Sequence, residues 1–176
     1  INPPIVGIPC FFLCIFDKKI LIVCFAFSFN SQAQDIVIGK RDTVNSQILN
    51  TKRALSIYLP ASYFVSNNQK FPVLYILDGD YNFNYVAGLL ELEAGIAEMI
   101  PETILVGISG EGTDTYRKNC KPAIEGGEDN GNADSVAMFL EQELIPYIDS
   151  NYKTAPYKIL AGHSVGGLFV INTALK

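Results

Sequence analysis

Residues 157–176 read "YKILAGHSVGGLFVINTALK". "YKILAG" (157–162) is a short apolar run that suits a strand buried in a sheet. "GGLFVINTALK" (166–176) reads as the start of a helix. Between them, Gly162-His163-Ser164-Val165-Gly166 fits G-x-S-x-G, a sharp strand-to-helix turn that exposes a serine hydroxyl. Gly162 and Gly166 remove side chains that would collide across such a turn, and Gly167 lets the helix pack close to the strand. The blander alternative is a glycine-rich turn in which Ser164 caps the helix.

Upstream segments give that turn a setting. "RALSIYLP" (53–60) alternates weakly and ends at a proline, as a strand near a sheet edge does. "PVLYIL" (72–77) and "TILVGI" (103–108) are continuous apolar runs of the kind buried on both faces of a parallel sheet. Between them, "YVAGLLELEAGIAEMI" (85–100) places Val86, Leu89, Leu90, Ile96 and Ile100 near helical spacing, and Pro101 closes it. Residues 109–132 read as a long loop. "ADSVAMFLEQELIPYIDSNY" (133–152) is an amphipathic helix with Val136, Phe139, Leu140, Leu144, Ile145 and Ile148 on its apolar face, bent or restarted at Pro146. Strands alternating with helices predict an α/β fold with a mainly parallel sheet flanked by helices. Functional loops then belong at the carboxyl ends of the strands.

In that setting Ser164 is a candidate catalytic nucleophile. The helix after it points its N-terminus at the serine, and the N–H of Val165 is placed to bind an oxyanion. A second donor is expected from the turn after strand 72–77, where "LDGDYNF" (77–83) would present the N–H of Asp80 and Gly79 would permit close approach. A serine nucleophile needs a base within about 3 Å. The chain has one histidine, His163, and as the residue next to Ser164 on a sharp turn it points its side chain elsewhere.

The 176 residues suffice for one domain, and 49% hydrophobic with 18% charged residues is a globular composition. A net charge of −5 without a basic stripe gives no sign of nucleic-acid binding. "GISGEG" (107–112) lacks the spacing of a dinucleotide loop, and "EGGEDNGNAD" (125–134) lacks the pattern of an EF-hand.

The first 33 residues read as a leader. "DKK" (17–19) precedes the apolar run "ILIVCFAFSF" (20–29), and Ser31 and Ala33 stand at −3 and −1 of a cleavage site before Gln34. The run is short of the about 20 residues that span a bilayer. A secretory signal over about 18–33 is expected, with an exported product (secreted or periplasmic) and no stable membrane span after cleavage. A membrane anchor is the alternative. Cys10, Cys14 and Cys24 fall in the leader, leaving Cys120 alone in 34–176 and no internal disulfide there. The first residue is Ile and the last segment shows no helix cap, so both ends read as cut.

Over residues 46–176 the chain resembles the putative-esterase family of α/β-hydrolases, which includes trilactone siderophore esterases, feruloyl and acetyl-xylan esterases, S-formylglutathione hydrolases and mycolyltransferases. The resemblance rests on "RALSIYLPASY", "FPVLYILDGDYNF", "ILVGI", "YRKNCKPA", "FLEQELIPYIDSNY" and "KILAGHSVGGLFVINTAL", in family order. "CKPA" (120–123) departs from a more polar segment usual there. The resemblance implies an α/β-hydrolase fold, Ser164 as nucleophile, the N–H groups of Asp80 and Val165 as oxyanion hole, and no cofactor or metal. It implies a small-molecule or polymer-linked ester as substrate, with siderophore-type or plant-polymer esters favoured for an exported member. In this fold the acid and the histidine follow the serine helix. Both are therefore expected beyond residue 176, in about three more strand–helix units or of order 80–100 residues. A non-catalytic member that binds an ester or acyl ligand is the alternative.

Overall fold

A computed structural model describes residues 35–124 and 131–176, together with the backbone of two short strands, β1 (Cys14–Phe16) and β2 (Lys19–Leu21). The chain divides into two units, Ile1–Ile36 and Val37–Lys176. In the first, β1 and β2 pair antiparallel. Most of the apolar run 20–29 and the expected cleavage site lie outside the described residues.

The larger unit begins with a hairpin. β3 (Lys40–Ser46) and β4 (Thr51–Tyr58) pair antiparallel across the turn Gln47–Asn50, where Asn50 takes φ 49°. β3 is polar and buries only Val44 and Ser46, so no apolar alternation marks it in the sequence. β4, by contrast, buries Leu55, Ser56, Ile57 and Tyr58.

β5 (Phe71–Ile76) and β6 (Ile104–Ile108) lie parallel at the centre of the sheet, and all five residues of β6 are buried. β7 (Thr154–Ala161) joins β5 in parallel, giving the order β3-β4-β6-β5-β7. The expected parallel arrangement holds for β5, β6 and β7. β7 differs from the buried strand predicted for 157–162: among the described residues it pairs with β5 alone, and it leaves Tyr157 67% exposed.

Helices cover both faces. On one, α1 (Gly79–Leu90) continues through a π-helical segment, Glu91–Ile96, and buries Phe83, Ala87, Leu90 and Ala94 against Tyr58, Ile76 and Leu105. The helix predicted for 85–100 therefore starts earlier and turns a different side inward. Val86 and Leu90 pack inward, but Leu89, Ile96 and Ile100 face outward. The cause is its start, where Gly79 is seated on β6 and fixes the rotation of all that follows.

The other face carries α2 (Thr113–Cys120), α3 (Ala133–Phe139), a π-helical stretch Leu140–Leu144, α4 (Ile145–Asn151) and α5 (Val165–Ala174). Val136, Phe139, Leu140, Leu144 and Ile148 are buried here as the spacing predicts, with Ile145 partly buried. Pro146 sits in the first turn of α4, where its missing N–H costs no helical bond. α2 lies within the predicted loop 109–132. It buries only Cys120, so it shows no apolar period. Phe169 of α5 is fully buried in the same core.

Candidate active site

β5 and β7 are neighbours, and each runs directly into a helix at its carboxyl end. Ile76 pairs with Ala161, and the N–H of Leu77 donates to the carbonyl of Ala161 at 3.0 Å. The starts of α1 and α5 are therefore brought to the same edge of the sheet. Residues 78–80 and 163–165 meet there, two helix N-termini with their first amides free of intrahelical acceptors.

At the start of α5, Ser164 has φ 55° and ψ −120°, a conformation that L side chains avoid. Its side chain makes no capping bond, which removes the reason to read it as an N-cap, and the residue is exposed. The turn is closed by the N–H of Gly166, which donates to the His163 carbonyl at 2.9 Å, and by that of Leu168 to the Ser164 carbonyl at 3.2 Å. A Cβ on Gly162 would fall 2.5 Å from the backbone of Gly166, and one on Gly166 would fall 2.3 Å from the hydroxyl of Tyr116. Gly167 differs from the expectation. The nearest atom to a Cβ there is the Gly162 carbonyl oxygen at 3.4 Å, an ordinary contact, so the tight approach of helix to strand is set by Gly162.

At the start of α1, Asp78 takes φ 56° and ψ 45°. Asp80 is the second residue of α1. Its carboxylate accepts from the Ser109 hydroxyl at 2.7 Å and the Gly110 N–H at 2.9 Å, with the Arg41 guanidinium at 3.8 Å. The loop 109–112 is held from its other side by Arg53. That guanidinium, nearly enclosed, donates to Glu111 at 2.7 Å and to the Ser109 carbonyl at 2.8 Å. The sequence offered Asp80 only as an N–H donor; its side chain ties α1 to the loop after β6.

Electrostatics at this edge are acidic. Burial raises the carboxyl of Asp78 above its ordinary value, the charge of Asp80 adds to that, and His163 opposes it. His163 is exposed. Among the described residues no group of three His, Cys, Asp or Glu side chains could hold a metal ion. No described helix is long and apolar enough to cross a membrane.

The family model described as "Putative esterase" matches residues 46–176. Among solved structures, the chain is similar to an IroE-like serine hydrolase from Shewanella oneidensis, at 30% identity and a TM-score of 0.66, over 76% of this chain and 45% of that one. It is similar in fold to the siderophore hydrolase EstB from Aspergillus nidulans, at 19% identity and a TM-score of 0.66, over 80% of this chain and 54% of that one. The enterobactin esterase FES from Shigella flexneri, in the presence of enterobactin, shares the fold at 20% identity and a TM-score of 0.62, over 82% and 34%. The chain thus spans about half or less of the length of each of these structures. No curated protein matches it.

Proposed function

The chain belongs to the putative esterase family, and from that premise we propose that it is the nucleophile-bearing part of an exported serine carboxylic-ester hydrolase. The observation that carries the reading is the backbone of Ser164, left-handed at a strand-to-helix turn, with an exposed hydroxyl that caps nothing. Ser164 attacks the ester carbonyl, an acyl-enzyme forms as the alcohol leaves, and water hydrolyses it. The N–H groups of Val165 and Asp80, each in the first turn of its helix, receive the oxyanion. The substrate is a small-molecule or polymer-linked ester; the siderophore hydrolases of like fold make a siderophore-type ester the first to try.

The reading needs a general base. His163 is the only histidine among the 176 residues, and it adjoins Ser164. The base and its acid partner are therefore to come from sequence outside residues 1–176. The lone histidine favours a second reading, a non-catalytic member that binds an ester or acyl ligand.

The test is Ser164→Ala in the full-length gene product. Hydrolysis of a simple aryl ester and labelling by a fluorophosphonate should both disappear, leaving at most the about 10³–10⁴-fold acceleration over water that binding and the oxyanion hole supply. Undiminished turnover in this variant removes the nucleophile. Ester binding without turnover in the unsubstituted protein selects the binding reading.

A further inference from the structure

Ser164 is held in a backbone conformation that L side chains avoid and that persists only where its surroundings over-determine it. Its own side chain contributes no bond to that end. The surroundings that do so include one side chain not yet given a role. Tyr116, on α2, lays its hydroxyl over the turn: it donates to the carbonyl of His163 at 3.3 Å and lies 2.3 Å from where a Cβ on Gly166 would stand. These are the residues on either side of the Ser164–Val165 pair. The hydroxyl stands where a side chain of residue 166 would begin, so Gly166 and Tyr116 fit each other.

The base of Tyr116 is itself fixed. Its side chain rests on Gly110, where a Cβ would fall 3.3 Å from that of Tyr116. Gly110 is bonded to Asp80, and the neighbouring Ser109 and Glu111 are bonded to Arg53. A chain of contacts therefore runs from Asp80 at the start of α1, by hydrogen bonds to the loop 109–112 and by packing of Gly110 on Tyr116, to the turn that carries the serine.

We propose that Tyr116 is a positioning residue of this site: its hydroxyl bridges α2 to the turn, bonded to the His163 carbonyl and seated against Gly166, and holds Ser164 in its left-handed conformation at a set distance from Asp80. This rests on the reading of Ser164 as nucleophile. Tyr116 acts through the turn and touches no reacting atom. A displacement of about 1 Å in a nucleophile can cost about a hundredfold in rate.

The experiment is Tyr116→Phe in the full-length protein, which keeps the ring and removes only the bridging oxygen. For an aryl ester, kcat should fall about tenfold to a hundredfold while KM changes less than twofold. Amide hydrogen exchange at residues 163–166 should quicken while exchange in β5 and β6 stays as it was. Gly166→Ala, whose methyl would meet the hydroxyl, should lose less stability in the Tyr116→Phe background than alone.

Unchanged kcat with unchanged exchange at 163–166 overturns the proposal. So does a rise in exchange across the whole fold, which would mark a general packing role. Ser164→Ala run alongside separates the two readings. If it abolishes turnover and Tyr116→Phe does not lower kcat, the nucleophile stands and the bridge falls. If Ser164→Ala keeps turnover, the nucleophile falls, and the exchange at 163–166 decides the bridge by itself.

Discussion

Gly79 and Gly107 meet backbone to backbone: a Cβ on Gly79 would lie 2.6 Å from the carbonyl carbon of Gly107. The contact seats the first turn of α1 on β6 and so sets the height of Asp78 and Asp80 above the sheet. Gly79→Ala forces these elements apart. We expect a loss of about 1–3 kcal/mol, the usual cost of overpacking, read as a lower Tm. Ester turnover in the full-length protein should fall more than the unfolded fraction explains, because the N–H of Asp80 moves with the helix.

A second prediction concerns Arg53, which is buried at 4% exposure with its guanidinium on Glu111. Breaking a buried pair from one side leaves a charge without compensation and costs about 3–5 kcal/mol. Glu111 is exposed while Arg53 is enclosed, so the pair is only half buried and Glu111→Gln falls below that range. Replacing both residues, as Arg53→Met with Glu111→Gln, should cost less than Glu111→Gln alone. Urea unfolding of the three variants checks the order.

Acid stability should depend on Glu143. Burial works to raise its carboxyl, but the hydrogen bonds from the Ser46 hydroxyl and the amides of Ile48 and Gln47 together hold it below its ordinary value of 4.5. A carboxylate lowered in the folded state stabilises the fold above its unfolded pKa. That contribution fades as pH falls through the lower folded value. Glu143→Gln should therefore be less stable than the parent at pH 7 and approach it below pH 4.5. Denaturant midpoints measured across that range test the convergence.

The leader makes a prediction of its own. Expressed in a host with an active secretion pathway, the exported product should begin at Gln34 or Asp35. N-terminal sequencing reads this directly. A mature protein that keeps residues 18–30 would mean an anchor in place of a cleaved signal.

How much of this was legible in the sequence follows from where side chains meet water. β5 and β6 were visible as apolar runs because the centre of a sheet excludes solvent from both faces. β3 and α2 were not, since one buries two of its residues and the other only Cys120. The helix predicted at 85–100 lies at 79–96, and its start on the Gly79–Gly107 contact is recorded by no period in the sequence. At the site, Gly162, Ser164 and Gly166 lie within one pentapeptide whose spacing could be read at sight. The partners of the Asp80 carboxylate are about 30 residues away, and Tyr116 is 47 residues before His163. Polar contacts over such separations leave no pattern along the chain.

Cys120 is 2% exposed, and burial pushes its thiol up to about 11. In the exported setting proposed, the leader carries away Cys10, Cys14 and Cys24 and leaves Cys120 as the one thiol of residues 34–176, in an oxidising space. Thiolate is the form that attacks a disulfide or an oxidant, and at neutral pH almost none is present at such a pKa. The packing beneath α2 thus shields the sulfur: buried, it is kept from cross-linking one molecule to the next. Only unfolding would release that sulfur, so the rate at which an alkylating reagent captures it measures how often the fold opens.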